Sequence, residues 1–365
     1  MSFIGGCIRV SICAVLALSG GILQAQAGGR FVASELRSEK LAHSLVGTNP
    51  MRKVEVYLPA GYEGSNERYP VIYYLPSPGG FSEEFFTATM KPVLDRAIAM
   101  HAIAPFVLVA VDMVTPFGCT WYVNSPVTGN WEDFMVQDLV PYVDGHYRTL
   151  RSRDSRGIAG DFMGGYGAIK FGMTHPEIFG AVYALHPVGT GSGLYTMYSR
   201  PDWEKLAVAD KSRPADGQPI DGYGNIFLSI FQASVPDVSK PPLYIDLQAK
   251  GKGSDVVVDS AVTERLRDNF LLETMIGKYA DNLKSLRGLR LDWARNDGNQ
   301  DHVYSNQAFT HKLNEFGIRH EAEEYNGVWD SGNWSEDGRV ATEMLPFFAR
   351  KMVFAEGAKD GRVGQ

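Results

Sequence analysis

Three side chains of this sequence stand where strands end and could move a proton or attack a carbonyl. Asp161 closes Arg156-Gly157-Ile158-Ala159-Gly160, His186 closes Ala181-Val182-Tyr183-Ala184-Leu185, and Asp297 follows Leu289-Arg290-Leu291-Asp292-Trp293. A carboxylate beside an imidazole is the usual general-base pair, and the C-terminal ends of parallel strands are where such groups gather. Asp161, His186 and Asp297 are therefore the candidate catalytic residues. Asp161 also reads as a carboxylate favoured by the dipole of the helix that follows it. His302 is a loop residue that could instead form a carboxylate–imidazole pair with Asp297.

The most specific local signal is Gly160-Asp161-Phe162-Met163-Gly164-Gly165-Tyr166-Gly167. An apolar strand runs into a glycine-rich turn and then a helix from about Met163. Such a strand-to-helix elbow, G-x-S-x-G, lifts one side chain above a parallel sheet. Glycines suit the turn because larger residues cannot sit so near the crossing backbone. The raised residue here is Phe162, and a phenyl ring cannot attack a carbonyl.

The elements that would position these groups are legible as apolar runs. Strands are expected at Val54–Leu58, Tyr69–Leu75, Pro105–Val111, Arg156–Gly160, Ala181–Leu185, Leu289–Trp293 and Glu321–Tyr325. Helical spacing covers Pro92–Met100, Trp131–Val143, Asn306–Phe316 and Val340–Val353. Strands alternating with helices predict an α/β fold around a mostly parallel sheet with right-handed crossovers. The rhythm breaks over 189–288, read as an insertion or lid above the C-terminal edge of the sheet, with a second domain as the alternative. Its amphipathic end, Leu266–Leu286, could roof a pocket.

The 365 residues carry a formal charge of -7 and no basic stripe, which excludes nucleic acid as an obvious partner. Residues 1–27 read as a signal peptide: Arg9, an apolar run from Val10 to Leu23, and Ala25-Gln26-Ala27 as a cleavage site. A secreted or periplasmic mature chain over 28–365, with no transmembrane anchor after cleavage, follows. Cys7 and Cys13 leave with the signal, and Cys119 reads as a plain thiol that cannot form an internal disulfide. No phosphate-cradling loop or metal-spaced cluster is present, so no cofactor and no metal are expected.

Several separated blocks carry a family resemblance. Tyr122–Phe134, Asp138–Tyr142, the elbow from Arg156, Leu291–Asp297 and Gly317–Gly327 resemble, in order, the putative esterase family of α/β hydrolases. That family includes esterase D, feruloyl esterases and mycolyltransferases, and the resemblance spans about 50 to 350. It implies an α/β-hydrolase fold with helices on both faces of the sheet, and a Ser-His-acid triad with a backbone oxyanion hole. By position the family's serine falls on Phe162, its histidine on Trp329 and its acid on Asp297. The oxyanion loop falls on Pro76-Ser77, with Gly79 and Gly80 following. Tyr122 and Asn124 match a loop beside the family's pocket, and Met163 follows the raised position.

Losing both nucleophile and base costs on the order of 10⁶ in turnover. Phe162 and Trp329 instead put two rings where the reacting carbonyl would lie, favouring an apolar or aromatic small molecule. Phe162, Met163, Trp329, Tyr122, Asn124, Gly79 and Gly80 are thus the candidate binding residues. The resemblance and the missing groups together predict a pseudo-esterase, or an enzyme repurposed for lyase or isomerase chemistry. An ester hydrolase or acyltransferase with a displaced nucleophile is the alternative, with Ser77 and Ser125 as the nearest hydroxyls.

Overall fold

The computed structural model describes residues 28–77, 83–191, 201–207, 224–329 and 331–355. The signal segment, Gly79 and Gly80 lie outside the described residues. One eight-stranded sheet organises the chain: β1 (Arg30–Arg37), β2 (Met51–Leu58), β3 (Val71–Leu75), β4 (Val107–Val111), β5 (Arg156–Asp161), β6 (Ala181–Leu185), β7 (Gly288–Ala294) and β8 (Glu321–Tyr325). Their order is β1-β2-β4-β3-β5-β6-β7-β8. From β4 to β8 every neighbouring pair is parallel, whereas β1 and β2 join antiparallel.

The central strands β3, β4 and β6 are buried along their whole length, as unbroken Val/Ile/Leu/Tyr runs require when helices cover both faces. On one face lie α1 (Lys91–Ala99) and α7 (Leu345–Lys351), which bury Leu94, Phe347 and Phe348. The other face takes the helical run 131–146, α2 (Met163–Thr174), α5 (Leu272–Ser285) and α6 (Gln300–Glu315).

The expected strands all form, and β1 is an addition. Its sequence RFVASELR pairs along all of β2 as an edge strand with one half-exposed face, so it carries no continuous apolar run. The insertion reading of Leu266–Leu286 needs correction. One continuous helix does not form, because Leu271 is extended (φ -72, ψ 122) between α4 (Ser260–Phe270) and α5. Only α4 lies above the sheet edge; α5 is a crossover helix packed on α2. With α3 (Gly224–Ser234), α4 builds a separate small core that includes Leu228, Phe231 and Val262.

The elbow between β5 and α2 is the tightest point of the molecule. A Cβ on Gly164 would fall 2.1 Å from the Leu75 carbonyl oxygen, and one on Gly160 would fall 2.5 Å from the Gly164 backbone. Both obstacles are backbone and neither can yield. Gly164→Ala is expected to destabilise by more than about 4 kcal/mol, since α2 must move away from β3. Thermal unfolding should show a Tm loss of at least about 8 °C, or no soluble protein; an unchanged Tm would contradict this packing.

Candidate functional site

Phe162 sits at the elbow with φ 55 and ψ -109, a left-handed conformation that costs a bulky residue about 1–3 kcal/mol. The surroundings enforce it. The Phe162 N–H donates to the Leu185 carbonyl at 2.9 Å, and the Phe162 carbonyl accepts from the Tyr166 N–H at 3.1 Å. The ring is therefore raised at the C-terminal edge of the sheet. It stacks on Trp329, with centroids 4.7 Å apart and planes at 26°, and meets His302 edge-on at 5.2 Å. His186 lies parallel to it at 6.4 Å. The buried Trp329 indole N–H finds no acceptor among the described residues.

Asp297 draws the two histidines together. Its Oδ2 lies 2.6 Å from His186 Nε2 and 2.8 Å from His302 Nδ1, and its Oδ1 accepts the Asn299 N–H at 2.8 Å. The direction of each proton follows from partners that can only donate. The Ala294 N–H donates to His186 Nδ1 at 3.0 Å, so that nitrogen holds a lone pair and Nε2 carries the hydrogen given to Asp297. The Asn299 Oδ1 accepts the Asp301 N–H as the cap of α6, which turns Nδ2 toward His302 Nε2 at 3.0 Å. His302 accordingly donates from Nδ1 to Asp297, and its Nε2 lone pair faces the Asn299 amide. Both imidazole lone pairs are engaged, and neither points at an unshared proton.

Burial pushes the Asp297 carboxyl up, but the donations from His186, His302 and the Asn299 N–H together hold it well below the usual carboxylate range. Two imidazoles and a carboxylate within 4.8 Å of one another also resemble a metal-ligand set. The donors do not fit one. His186 could ligate through Nε2 only with its hydrogen on Nδ1, where the Ala294 N–H already points.

Asp161 faces elsewhere. Its carboxyl lies against Ser77 and Tyr74, under the chain leaving β3, and burial pushes it up to about 6 against their donations. Its Oδ1 is buried without a partner among the described residues. Ser77 is tied down too, its hydroxyl donating to the Asp161 carbonyl at 3.0 Å. Ser125 is buried and donates to the Gln232 carbonyl at 2.6 Å. Burial drives the Cys119 thiol up to about 12, which removes it as a nucleophile.

Two expected binding residues are engaged within the fold. Tyr122 is buried beneath the elbow helix and donates to the Pro76 carbonyl at 2.6 Å, a strut holding the loop after β3. Asn124 closes its own hairpin by exchanging hydrogen bonds with Asp133, both at 3.0 Å. Neither lines the cavity beside Phe162. Met163 is buried in the core under the elbow.

That cavity, about 280 Å³, opens between Phe162 and helices α3 and α4. Its walls are mostly apolar: Trp121, Ile226, Phe227, Ile230, Leu266 and Phe270, with Asn299 and His302 at one end. Trp121 is locked by its indole N–H on Ser229 at 2.9 Å and by edge-on contact with Phe270 at 4.8 Å. Leu266 and Phe270 lie in the segment expected to roof a pocket, whereas sequence reasoning missed the α3 residues Ile226, Phe227 and Ile230, which reach the site from far along the chain.

Comparison with known proteins places the chain. Residues 46–224 match the family described as Putative esterase. Esterase Rv1288 of Mycobacterium tuberculosis is 28% identical over 218 residues, covering 53% of this chain and 45% of that protein. An endo-1,4-beta-xylanase/feruloyl esterase of Xylanibacter ruminicola is 30% identical over 139 residues, covering 36% of this chain and 19% of that one. The chain thus matches less than half the length of these curated relatives. Among solved structures, a ferulic acid esterase superposes with a TM-score of 0.61 at 20% identity, covering 88% of this chain and 98% of that one. An S-formylglutathione hydrolase from Staphylococcus aureus gives 0.56 at 15% identity, covering 87% of this chain and all of that one. The fold is that of the α/β hydrolases. Over residues 46–224 the chain matches the esterase family of that fold.

The two carboxylates predict opposite pH behaviour. Asp297 is depressed in the fold, so its contribution is present above the unfolded value near 4 and is lost as pH falls further. Asp161 is raised, so its ionisation opposes folding, with the cost growing from about pH 4 and complete above about pH 6. At pH 7.5, Asp297→Asn should lower Tm and Asp161→Asn should raise it, each by roughly 2–6 °C, equivalent to about 1–2 kcal/mol. Both differences should shrink below pH 4. Scanning calorimetry from pH 3 to 8 checks this, and shifts of the same sign at pH 7.5 would refute the assignment.

Proposed function

We propose that this chain is a non-hydrolytic member of the esterase family that binds an apolar or aromatic small molecule in the cavity beside Phe162, and that it is exported by residues 1–27. The carrying observation is the Phe162–Trp329 stack, which fills the raised elbow position and the place facing it with rings instead of a nucleophile and its base. The engaged lone pairs of His186 and His302 support the same reading, since neither ring is available to take a proton from a ligand. The apolar walls supply the burial that such a ligand needs.

Two assays test this together. Hydrolysis of p-nitrophenyl acetate and butyrate by the mature chain should not exceed a heat-treated control, and turnover well above it would sink the proposal. Calorimetric titration with 2-naphthol should show binding. Leu266→Asp should weaken it at least about tenfold, because a charge in an apolar wall costs more than 1.4 kcal/mol. Equal affinity in the variant would place the ligand elsewhere.

A further inference from the structure

A second cavity, about 450 Å³, lies at the opposite end of the sheet, where β7 and β8 begin. Lys284, Arg287, Arg319, His320 and Lys351 line it with a single carboxylate, Glu321. The whole chain has 35 Lys and Arg against 42 Asp and Glu, so this concentration of cations runs against the composition. We infer that this cavity is a binding site for a compact multivalent oxyanion of the phosphoryl class, on a free or small-molecule phosphate.

The charge inventory favours an added anion. Glu321 is already shared among Lys351 at 3.0 Å, Arg350 at 3.2 Å and Arg290 at 3.3 Å. Arg287 is held in place, its Nε donating to the Lys351 carbonyl at 2.7 Å, with Asp154 at 3.7 Å. Lys284 and Arg319 form no ion pair among the described residues. His320 donates from Nδ1 to the Ile318 carbonyl at 2.9 Å.

Helix ends offer a competing explanation for these cations. α5, α6 and α7 all terminate here, and each C-terminus is equivalent to roughly half a negative charge. Together they amount to about 1.5 charges; Glu321 answers Lys351 and Asp154 answers Arg287, which leaves the two cations of Lys284 and Arg319 against those helix ends. The surplus is positive. The guanidinium fork of Arg319 beside the Lys284 ammonium suits a tetrahedral oxyanion, and the volume suits a small phosphorylated molecule.

The test uses pyrophosphate against chloride at matched ionic strength on the full chain. Titration calorimetry should give a Kd in the range of about 10–100 μM, and 1 mM pyrophosphate should raise Tm by about 3 °C or more. The double variant Lys284→Gln, Arg319→Gln should bind at least about tenfold more weakly while keeping the wild-type Tm in chloride, because both side chains are exposed. Absent binding, or equal binding by the double variant, overturns the site. Citrate binding as tightly as pyrophosphate overturns the phosphoryl assignment. Co-sedimentation with phosphatidate-containing vesicles overturns the small-molecule source. The 2-naphthol titration is expected to be the same in the double variant, so the outcome here is separable from that of the first cavity.

Discussion

The structure depends on one close approach, that of the elbow backbone to the neighbouring strand. Gly164 passes the Leu75 carbonyl so nearly that no side chain fits, and Gly160 is pressed against Gly164 in the same way. With β3, β5 and α2 held at that distance, residue 162 takes φ 55 whatever its identity and projects from the sheet edge. The position is a property of the backbone. Its chemistry belongs to the side chain, and a phenyl ring there can stack and exclude water but cannot attack.

The consequences spread to the rest of the site. Trp329 covers Phe162, and the acid that would orient a catalytic histidine instead binds two others. The resulting chain of donors runs inward from both sides: Ala294 to His186 to Asp297, and Asn299 to His302 to Asp297. Such a network is fully satisfied and costs nothing in unpaired groups, unlike the site's remaining buried orphans on Asp161 and Trp329. On the function proposed above, the sheet and elbow of the family frame carry a binding site in which rings and closed hydrogen bonds stand at the sheet edge, since a fold does not by itself fix the chemistry of its site.

Much of this was legible in the amino-acid sequence, for physical reasons. Runs such as Val71–Leu75 and Ala181–Leu185 are apolar because helices cover both faces, and the glycines of the elbow mark the close approach directly. Asp297 and His186 both stand at strand ends, where topology brings them together. Other features depend on long-range packing. Leu271 breaks an otherwise continuous helical pattern without a glycine or proline, because the chain must descend from the cavity wall to the flank of α2. The role of His302 depends on the cap at Asn299, which turns the first turn of α6 back onto Asp297. Tyr122 was expected at the pocket because its loop resembles one beside the family's pocket, and its hydroxyl is spent on Pro76 beneath the elbow.

Two-bond ¹H–¹⁵N correlation spectra of the histidine rings between pH 6.5 and 8 test the central claim most directly, because they report which nitrogen carries each hydrogen. The structure predicts His186 with its hydrogen on Nε2 and His302 with its hydrogen on Nδ1, and no change on adding a ligand to the cavity. A His302 ring with its hydrogen on Nε2, or one that gains a proton when ligand is added, would contradict the account and make that imidazole a working base.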